Sequence, residues 1–222
     1  MPHKRKDLKI EGPNLWYLVG LITSDGCLSS DGRHIDITSS DYEFLSSIKS
    51  QFGLINKIGD KYNSVGDLNY HFQLANRSLY DFLLSIGLTP CKSLTIGAVN
   101  VPVNYFCDFL RGLIDGDGGI QRWIHRTNRR EQWNLRVSSG SRKFLAWLRN
   151  KIEKVMGVKG RLYSEGETRF RLKYGKMAAR IIAEKCYYKG AFALKRKNEL
   201  ARACIGSYRG WSKSKTTILK GE

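Results

Sequence analysis

Apolar residues recur along the chain with two different periods, and the same succession of periods occurs twice. In the first half, a helical spacing through Leu18, Leu21 and Ile22 gives way to the alternation of a strand at Ile35 and Ile37. A second amphipathic helix, a second alternating stretch and a last helical stretch follow. Gly and Asp-Gly turn signals separate these stretches. The pattern predicts the order αββαββα for each half of the chain.

A sequence repeat underlies this succession. Residues 18–26, LVGLITSDG, match residues 110–118, LRGLIDGDG, at an offset of 92. Two later blocks match in the same order, residues 37–39 with 137–139 at an offset of 100 and residues 72–74 with 170–172 at an offset of 98. Three matches in one order indicate a duplicated unit, with the differences in length lying in loops.

The duplication predicts an α+β protein with two pseudo-symmetric αββαββα repeats, each built around an antiparallel sheet. The segment that contains Pro90, Gly97 and Pro102 reads as the connection between them. The predicted organisation is an N-terminal repeat at residues 1–88, a linker at 89–104, a C-terminal repeat at 105–205 and a basic C-terminal tail at 206–222.

Strand alternation gives each predicted sheet one apolar face and one polar face. Polar-out alternation is also the ordinary state of a half-exposed sheet. A row of like charges at Arg169, Arg171 and Lys173 favours a bound anion, because such charges repel one another without one. Side chains on a two-stranded ribbon can contact base edges in the major groove of DNA. The candidate DNA-binding residues are His34, Asp36, Thr38, His71 and Gln73 in the first repeat, and Asn134, Arg136, Ser138, Arg169 and Arg171 in the second.

The net charge of the chain indicates a polyanionic partner, which the predicted fold class alone does not. The 222 residues include 38 Lys and Arg but 20 Asp and Glu, a formal charge of +18. Residues 1–100 contain 10 of each sign, so residues 101–222 hold the whole excess. This asymmetry favours a nucleic acid as the partner, and the alternative is a charged surface that only maintains solubility.

The cysteines and the apolar runs bear on the compartment. The five cysteines are an odd number without a C-x-x-C pair, and the four histidines are scattered, so a disulfide framework or a zinc site is not expected. No apolar run has the length of a membrane span, and the basic start lacks the apolar core of a secretory signal. We expect an intracellular, reducing compartment, either a bacterial or archaeal cytoplasm or an organelle, and no membrane partner.

Each copy of the repeated motif is predicted to form a helix that ends at an Asp-Gly pair, Asp25-Gly26 or Asp117-Gly118, with Gly20 or Gly112 inside the helix. A glycine within a helix costs about 1 kcal/mol relative to alanine, and close contact between two helix backbones would offset that cost. Packing through the glycines would bring the two carboxylates together, where Mg²⁺ or another divalent ion would relieve their repulsion. The competing interpretation is that each Asp-Gly pair only forms a turn. Two copies in matching contexts on a basic chain favour the metal site.

This motif pair resembles that of single-chain LAGLIDADG homing endonucleases, over about residues 14–200. The resemblance implies two αββαββα halves packed through the motif helices, with two sheets forming a saddle over DNA. It implies Mg²⁺-dependent cutting of both strands of a long, nearly palindromic site, leaving short 3′ overhangs. Asp25 and Asp117 correspond to the metal-binding acids. The earlier acidic position of the motif is Thr23 in one copy and Asp115 in the other. Arg111 replaces a small residue, so it either faces outward or pairs with an acid.

The same resemblance suggests further catalytic residues, which the motif fixes less well. Arg77 precedes the last helix of the first repeat, where the family often has a basic residue. Its aligned position in the second repeat is Gly175, and Lys173 on the outward strand face is the substitute. Ser39 and Ser139 follow the return strands, where a residue that positions solvent is expected.

Three functions remain open from the sequence. The first is a site-specific endonuclease that binds DNA as a monomer, since both half-site readers lie in one chain. The second is a maturase of the same family, which binds intron RNA and need not cut. The third is a non-catalytic DNA-binding regulator, in which we expect loss of one acid and an added helix-turn-helix domain. Retention of both Asp25 and Asp117 favours the endonuclease.

Overall fold

The computed structural model describes residues 10–127 and 129–207 as two similar α+β repeats. The elements of the first repeat are α1 (Gly12–Asp25), β1 (Gly26–Leu28), β2 (His34–Ser39), α2 (Tyr42–Phe52), β3 (Gly59–Tyr62), β4 (Leu68–Ala75) and α3 (Arg77–Ser85). This order confirms the predicted αββαββα unit.

The second repeat has the same order and one more helix. Its elements are a 3₁₀ turn (Val103–Tyr105), α4 (Phe106–Asp115), β5 (Gly118–Ile124), β6 (Glu131–Ser139), α5 (Arg142–Met156), β7 (Arg161–Ser164), β8 (Phe170–Tyr174), α6 (Lys176–Cys186) and α7 (Lys195–Gly206). The sequence pattern does not distinguish α7 from the end of the repeat. Residue 206 closes α7 rather than opening the predicted tail, and residues 208–222 of that tail lie outside the described residues.

Local signals in the sequence set the boundaries of the second helix in each repeat. Asp41 caps α2 by accepting a hydrogen bond from the Phe44 amide at 2.9 Å, and Ser141 caps α5 in the same way. Both helices end at a glycine in the left-handed conformation, Gly53 with φ 62° and Gly157 with φ 71°. The two repeats therefore use one set of helix start and stop signals.

Each repeat contains one four-stranded antiparallel sheet, with strand orders β1-β2-β4-β3 and β5-β6-β8-β7. In the first sheet Ile37 pairs with Phe72, and in the second Val137 pairs with Leu172. The two strand pairs therefore correspond at one offset of 100, and the predicted match of residues 72–74 with 170–172 is wrong by two residues. A shift of two keeps every side chain on the same face, so alternation alone could not detect it.

The core lies between the helices and the apolar face of each sheet. Ile35, Ile37 and Leu135 are fully buried there, and so are Leu45 and Ile48 of α2 and Leu145, Leu148 and Ile152 of α5. Helices α1 and α4 pack against each other at the centre of the molecule and join the two cores into one cluster. None of the helices in the described ranges combines the length and apolar character needed to cross a membrane.

Candidate active site and nucleic-acid interface

The two motif helices touch at their glycines. A Cβ atom built on Gly20 would overlap the carbonyl oxygen of Phe109, and one built on Gly112 would overlap that of Tyr17. The Gly112 position also lies 3.0 Å from the Gly20 Cα atom. Both glycines are needed because the backbones leave no room for a side chain, which confirms the predicted packing.

The two motif acids occupy different places relative to their helices. Asp25 is the last residue of α1, as the sequence predicts. Helix α4 ends at Asp115, so the prediction that Asp117 closes it is wrong. The Gly116-Asp117 turn follows, and Asp117 is exposed where Asp25 is half-buried. The side chains of Ser24 and Asp25 lie against Gly116, with an Asp25 carboxylate oxygen 2.9 Å from an ideal Cβ there. Helix α4 therefore ends beside the end of α1.

The carboxyl groups of these two acids hold their protons more tightly than free aspartate does. Burial raises the pKa of Asp25 to about 7, and the negative charge of Asp117 adds to the effect. Partial enclosure also raises the pKa of Asp117. The positive charges of Lys92 and Lys197 oppose both increases. The acids therefore form an electrostatically unfavourable pair that a cation stabilises.

Two buried lysines complete the cluster, and the sequence analysis missed both. Lys92, in the linker, donates a hydrogen bond to the carbonyl oxygen of Gly26. Lys197, in α7, donates to the carbonyls of Ile114 and Asp115 at 2.6 Å and to that of Gly118 at 3.0 Å. Burial lowers the pKa of Lys92 and lowers that of Lys197 to about 8. No local sequence pattern distinguishes these two lysines from the other basic residues of the chain.

A small cavity of about 70 Å³ opens beside Asp117. It is lined by residues from both repeats and from the linker, among them Ser24, Lys92, Asp117, Ser138 and Ser139. The structure therefore brings the predicted residue Ser139 to the same cavity as Asp117 and Lys92.

The two candidate serines have matching local roles. The hydroxyl of Ser39 accepts a hydrogen bond from the Asp41 amide, and that of Ser139 accepts one from the Ser141 amide, each at 3.1 Å. Each hydroxyl keeps its own proton available for donation. The contact shows why a serine suits this turn before α2 and α5, and a catalytic role for either residue stays a prediction.

Arg77 and Lys173 do not join the acids. The Arg77 guanidinium is exposed and donates to Asp81 at 3.1 Å, one turn along α3. Lys173 is exposed on the sheet, where it pairs in register with Arg136. Since α3 and α6 begin at Arg77 and Lys176, Lys176 is the structural counterpart of Arg77, and its ammonium donates to the Glu131 carbonyl. Catalysis by Arg77 or Lys173 stays a prediction.

The other charged motif residues have structural contacts. Asp115 is buried and accepts hydrogen bonds from the Tyr17 and Tyr187 hydroxyls at 2.8 Å and from the Leu194 amide at 2.7 Å. Arg111 is buried and pairs with Asp108 at 2.8 Å, which confirms the second of its two predicted environments. These contacts tie α4 to α1 and to the segment between α6 and α7.

The polar faces of the two sheets lie as the alternation predicts, with one exception. The register sets Asp36 beside Gln73 and Thr38 beside His71, and in the second sheet it sets Ser138 beside Arg171. The other exposed or half-exposed candidates are His34, Arg136 and Arg169. Asn134 contradicts the prediction, since it is only 4% exposed and its amide oxygen has no partner among the described residues. It lies on strand β6 opposite Gln121 of β5, one residue before the stretch of β6 that also pairs with β8.

The donor set at the helix ends fits a magnesium ion. Mg²⁺ binds through one or two carboxylates and keeps several waters or phosphate oxygens. Asp25 and Asp117 supply two carboxylates whose pKa values are raised. Within the described ranges, no group of three or more His, Cys, Asp or Glu side chains has the arrangement of a metal cluster. A site of this kind would therefore depend on the substrate for its remaining ligands.

The first repeat matches a known family of protein domains. Residues 12–87 match the family model described as the LAGLIDADG-like domain. The chain carries a LAGLIDADG-like domain. The match confirms the resemblance drawn from the paired motifs, and the structure extends the same LAGLIDADG-like architecture through the second repeat.

Solved structures share the fold over nearly the whole chain. The homing endonuclease I-WcaI bound to its DNA recognition sequence matches with a TM-score of 0.63 and 9% identity, over 89% of this chain and 88% of that one. The meganuclease I-SmaMI bound to uncleaveable DNA matches with a TM-score of 0.60 and 12% identity, over 87% of this chain and 90% of that one. These identities show the LAGLIDADG fold alone.

The fold is also similar to a protein that is not described as a nuclease. The N-terminal LAGLIDADG domain of DUF199/WhiA matches with a TM-score of 0.53 and 13% identity, over 87% of this chain and 90% of that one. A comparison with curated proteins found no match. The activity must therefore be argued from the residues of the site.

Proposed function

We propose that this protein is a site-specific DNA endonuclease that binds double-stranded DNA as a monomer and cuts both strands with the help of a divalent metal ion. The observation that carries the proposal is the pair formed by Asp25, at the end of α1, and Asp117, two residues beyond the end of the glycine-packed partner helix α4, flanked by Lys92 and Lys197. A purely DNA-binding protein would not need two carboxylates where phosphates must approach, since they repel the backbone.

Each residue of the site has a distinct task in this proposal. Asp25 and Asp117 would hold the metal, which supplies charge neutralisation at the scissile phosphates and a more acidic bound water. Lys92 and Lys197 hold the helix ends in place and set a positive potential around the acids. The Ser139 hydroxyl, which lines the same small cavity as Asp117, would orient a water molecule. The sheets orient the duplex.

The fold matches support the partner. Two of the similar structures are described as homing endonucleases or meganucleases bound to DNA, and another, I-DmoI, is described as a complex with DNA and Ca. By the same reasoning we propose the details of the reaction. The target is long and nearly palindromic, the cut leaves short 3′ overhangs, the ion is Mg²⁺, and the protein acts in intron homing.

Strand-resolved cleavage tests the proposal. The substrate is the DNA on either side of the gene, joined as it would be without the inserted sequence. Wild-type protein with Mg²⁺ should cut both strands, and Asp25→Asn or Asp117→Asn should abolish double-strand cutting while binding with Ca²⁺ is retained. Glu43→Gln on the exposed side of α2 is the matched control. Normal double-strand cutting by either Asp variant would overturn the assignment.

A second candidate function, RNA binding by a maturase, is favoured by one observation. Helix α5 has five basic residues and one acidic residue, whereas its counterpart α2 has one of each. Arg142, Lys143 and Lys154 are exposed on α5, and the apolar side of this helix covers the sheet opposite its polar face. DNA on the saddle would not reach them. If this surface binds intron RNA, Lys143→Glu/Lys154→Glu should weaken binding to the intron transcript and leave DNA cleavage unchanged.

A further inference from the structure

Corresponding positions on the polar faces of the two sheets carry opposite chemistry. At the offset of 100, the cross-strand pair Asp36 and Gln73 in the first sheet corresponds to Arg136 and Lys173 in the second. We call these two pairs the central rungs. One rung thus holds a carboxylate and an amide, and the other holds two cations. In the neighbouring cross-strand pairs, one position has a hydroxyl side chain in both sheets, Thr38 in the first and Ser138 in the second.

The central rung of the second repeat can only donate hydrogen bonds. Arg136 is held in place by Gln121, whose amide oxygen accepts from both terminal guanidinium nitrogens at 3.2 and 3.1 Å when the amide is turned toward them. Lys173 is exposed beside it. Guanidinium and ammonium groups have no acceptor. The base edge that matches such a rung is guanine, which presents two acceptors, N7 and O6, in the major groove.

The central rung of the first repeat offers acceptors. One carboxylate oxygen of Asp36 lies 2.6 Å from the His71 Nδ1 atom, and the other accepts from the Lys61 ammonium at 2.6 Å. Partial burial alone would raise the pKa of Asp36, but the hydrogen bonds from Lys61 and His71 together have the larger effect. The net result is a lowered pKa, so the group is a carboxylate at neutral pH. The Thr38 hydroxyl also donates to the oxygen that Lys61 contacts, at 3.3 Å. These three partners hold Asp36 ionised and leave about one of its four acceptor positions free.

Gln73 stands in the exposed position of the same rung, where Lys173 stands in the other sheet. Its amide both donates and accepts, which matches the N7 acceptor and N6 amino group of adenine. The Asp36 carboxylate accepts a hydrogen bond from an amino group and has no proton to donate to the oxygen and ring nitrogen of guanine. The first rung therefore favours a base with an amino group in the major groove.

We propose that the two repeats select different bases at this one symmetry-related position of the target, guanine by the second repeat and an amino-bearing base, adenine or cytosine, by the first. This inference rests on the proposed function, because it assumes a DNA duplex in the saddle. It makes Asp36, Gln73, Arg136 and Lys173 specificity-determining residues. The target would then depart from a palindrome at this position.

Selection from a library of random DNA duplexes tests the inference. The wild-type protein, incubated with Ca²⁺, should enrich a site with guanine in one half and adenine or cytosine at the symmetry-related position, each preferred about tenfold. The variant Asp36→Arg/Gln73→Lys copies the second rung into the first sheet. It should convert the preference of the first half-site to guanine and make the site palindromic there.

A matched control carries the same side-chain changes on the other side of the sheet. Glu43 and Gln51 are exposed on α2, so Glu43→Arg/Gln51→Lys adds equal charge without touching the polar face. It should enrich the wild-type site. Gln73→Lys alone changes only an exposed side chain and should shift the preference toward guanine even if the double variant does not fold.

Two outcomes overturn the inference, and they are distinguishable. A wild-type site with the same base in both halves, or folded rung variants that keep the wild-type preference, would refute the assignment of these residues while leaving the endonuclease proposal intact. If the wild-type protein enriches no sequence at all, the proposed function fails and the inference fails with it.

Discussion

Lys92 and Lys197 make the same contact in the two repeats, because each ammonium donates to the carbonyl oxygen of the glycine that follows a motif acid, Gly26 or Gly118. One lysine comes from the linker and the other from a helix without a counterpart in the first repeat. A positive group at the carbonyl end of a helix also offsets the helix dipole. The end of each motif helix is thus stabilised by a lysine, and the two lysines come from different parts of the chain.

Lys197 donates to more carbonyl oxygens than Lys92 does, so we expect its replacement to lower the stability of the protein more. Lys197→Met leaves the carbonyls of Ile114, Asp115, Gly116 and Gly118 without their shared donor and should lower the free energy of unfolding by about 2–4 kcal/mol. Lys92→Met removes one such hydrogen bond and should cost about 1–2 kcal/mol. Urea denaturation compares them. Equal effects would mean that the additional carbonyl hydrogen bonds of Lys197 contribute nothing.

The acid pair predicts a pH-dependent gain in stability for Asp25→Asn. The pKa of Asp25 is about 7 in the folded protein and near 3.8 when unperturbed. An acid with a raised pKa binds its proton more tightly in the folded state, so the folded state loses stability as the pH rises from about 4 to 7. The substitution removes this loss. The variant should gain on the order of 1–2 kcal/mol over wild type at pH 8, without metal, and little at pH 4.

Thermal melts across this pH range, with Glu43→Gln as the control on α2, provide the measurement. A gain that is the same at pH 4 and pH 8 would show that Asp25 does not ionise against its neighbours.

The helix contact predicts a large cost for a single methyl group. Gly20→Ala would place its Cβ atom against the Phe109 carbonyl, which belongs to the backbone and cannot move aside without shifting α4. We expect a decrease of about 3 kcal/mol or more in the free energy of unfolding. Gly97→Ala is the control, since nothing lies within 4 Å of a Cβ atom there. If both variants unfold at the same denaturant concentration, the helices are not in close contact.

The uneven charge of the two sheets predicts different salt dependence. Replacing Arg169, Arg171 and Lys173 by Gln should reduce the slope of log K against log salt by up to about 2.7, at roughly 0.9 for each phosphate that the protein no longer neutralises. Replacing Arg33, Lys57 and Lys61 should reduce it less, because two of these three already pair with acids, Lys61 with Asp36 and Arg33 with Asp31 at 3.7 Å. In the other set one of the three does so, since Arg171 pairs with Glu165 at 2.7 Å. Equal reductions in filter-binding titrations would contradict this difference.

The repeats, the order of elements and the helix contact could be predicted because they depend on local patterns. Apolar spacing predicts helices and strands, and a glycine at the same place in two copies of a motif indicates a shared requirement. The offset of the last strand could not be found, since a shift of two residues leaves the alternation unchanged. The burial of Asn134 was also hidden, because it depends on the neighbours that this residue acquires only in the folded sheet.

The two buried lysines near the motif acids could not be predicted for a different reason. Lys92 and Lys197 lie far along the chain from the acids they approach, and no periodicity distinguishes them from other basic residues. Their role is visible only once the carbonyl ends of α1 and α4 meet them in space. The end of α4 at Asp115 was likewise not predictable, since the matching motif of the first repeat remains helical through Asp25.

The hydrogen bond between Tyr17 and Asp115 limits how this protein could be divided or rebuilt. At the offset of 92, the counterpart of Tyr17 is Phe109 and the counterpart of Asp115 is Thr23, whose hydroxyl bonds within its own helix. A homodimer made from the first repeat would pair each tyrosine hydroxyl with a threonine. One made from the second would bury two carboxylates against phenylalanine rings. The contact surfaces of the two halves have diverged and now complement each other. Two copies of either half would therefore not reproduce this contact in a symmetric dimer.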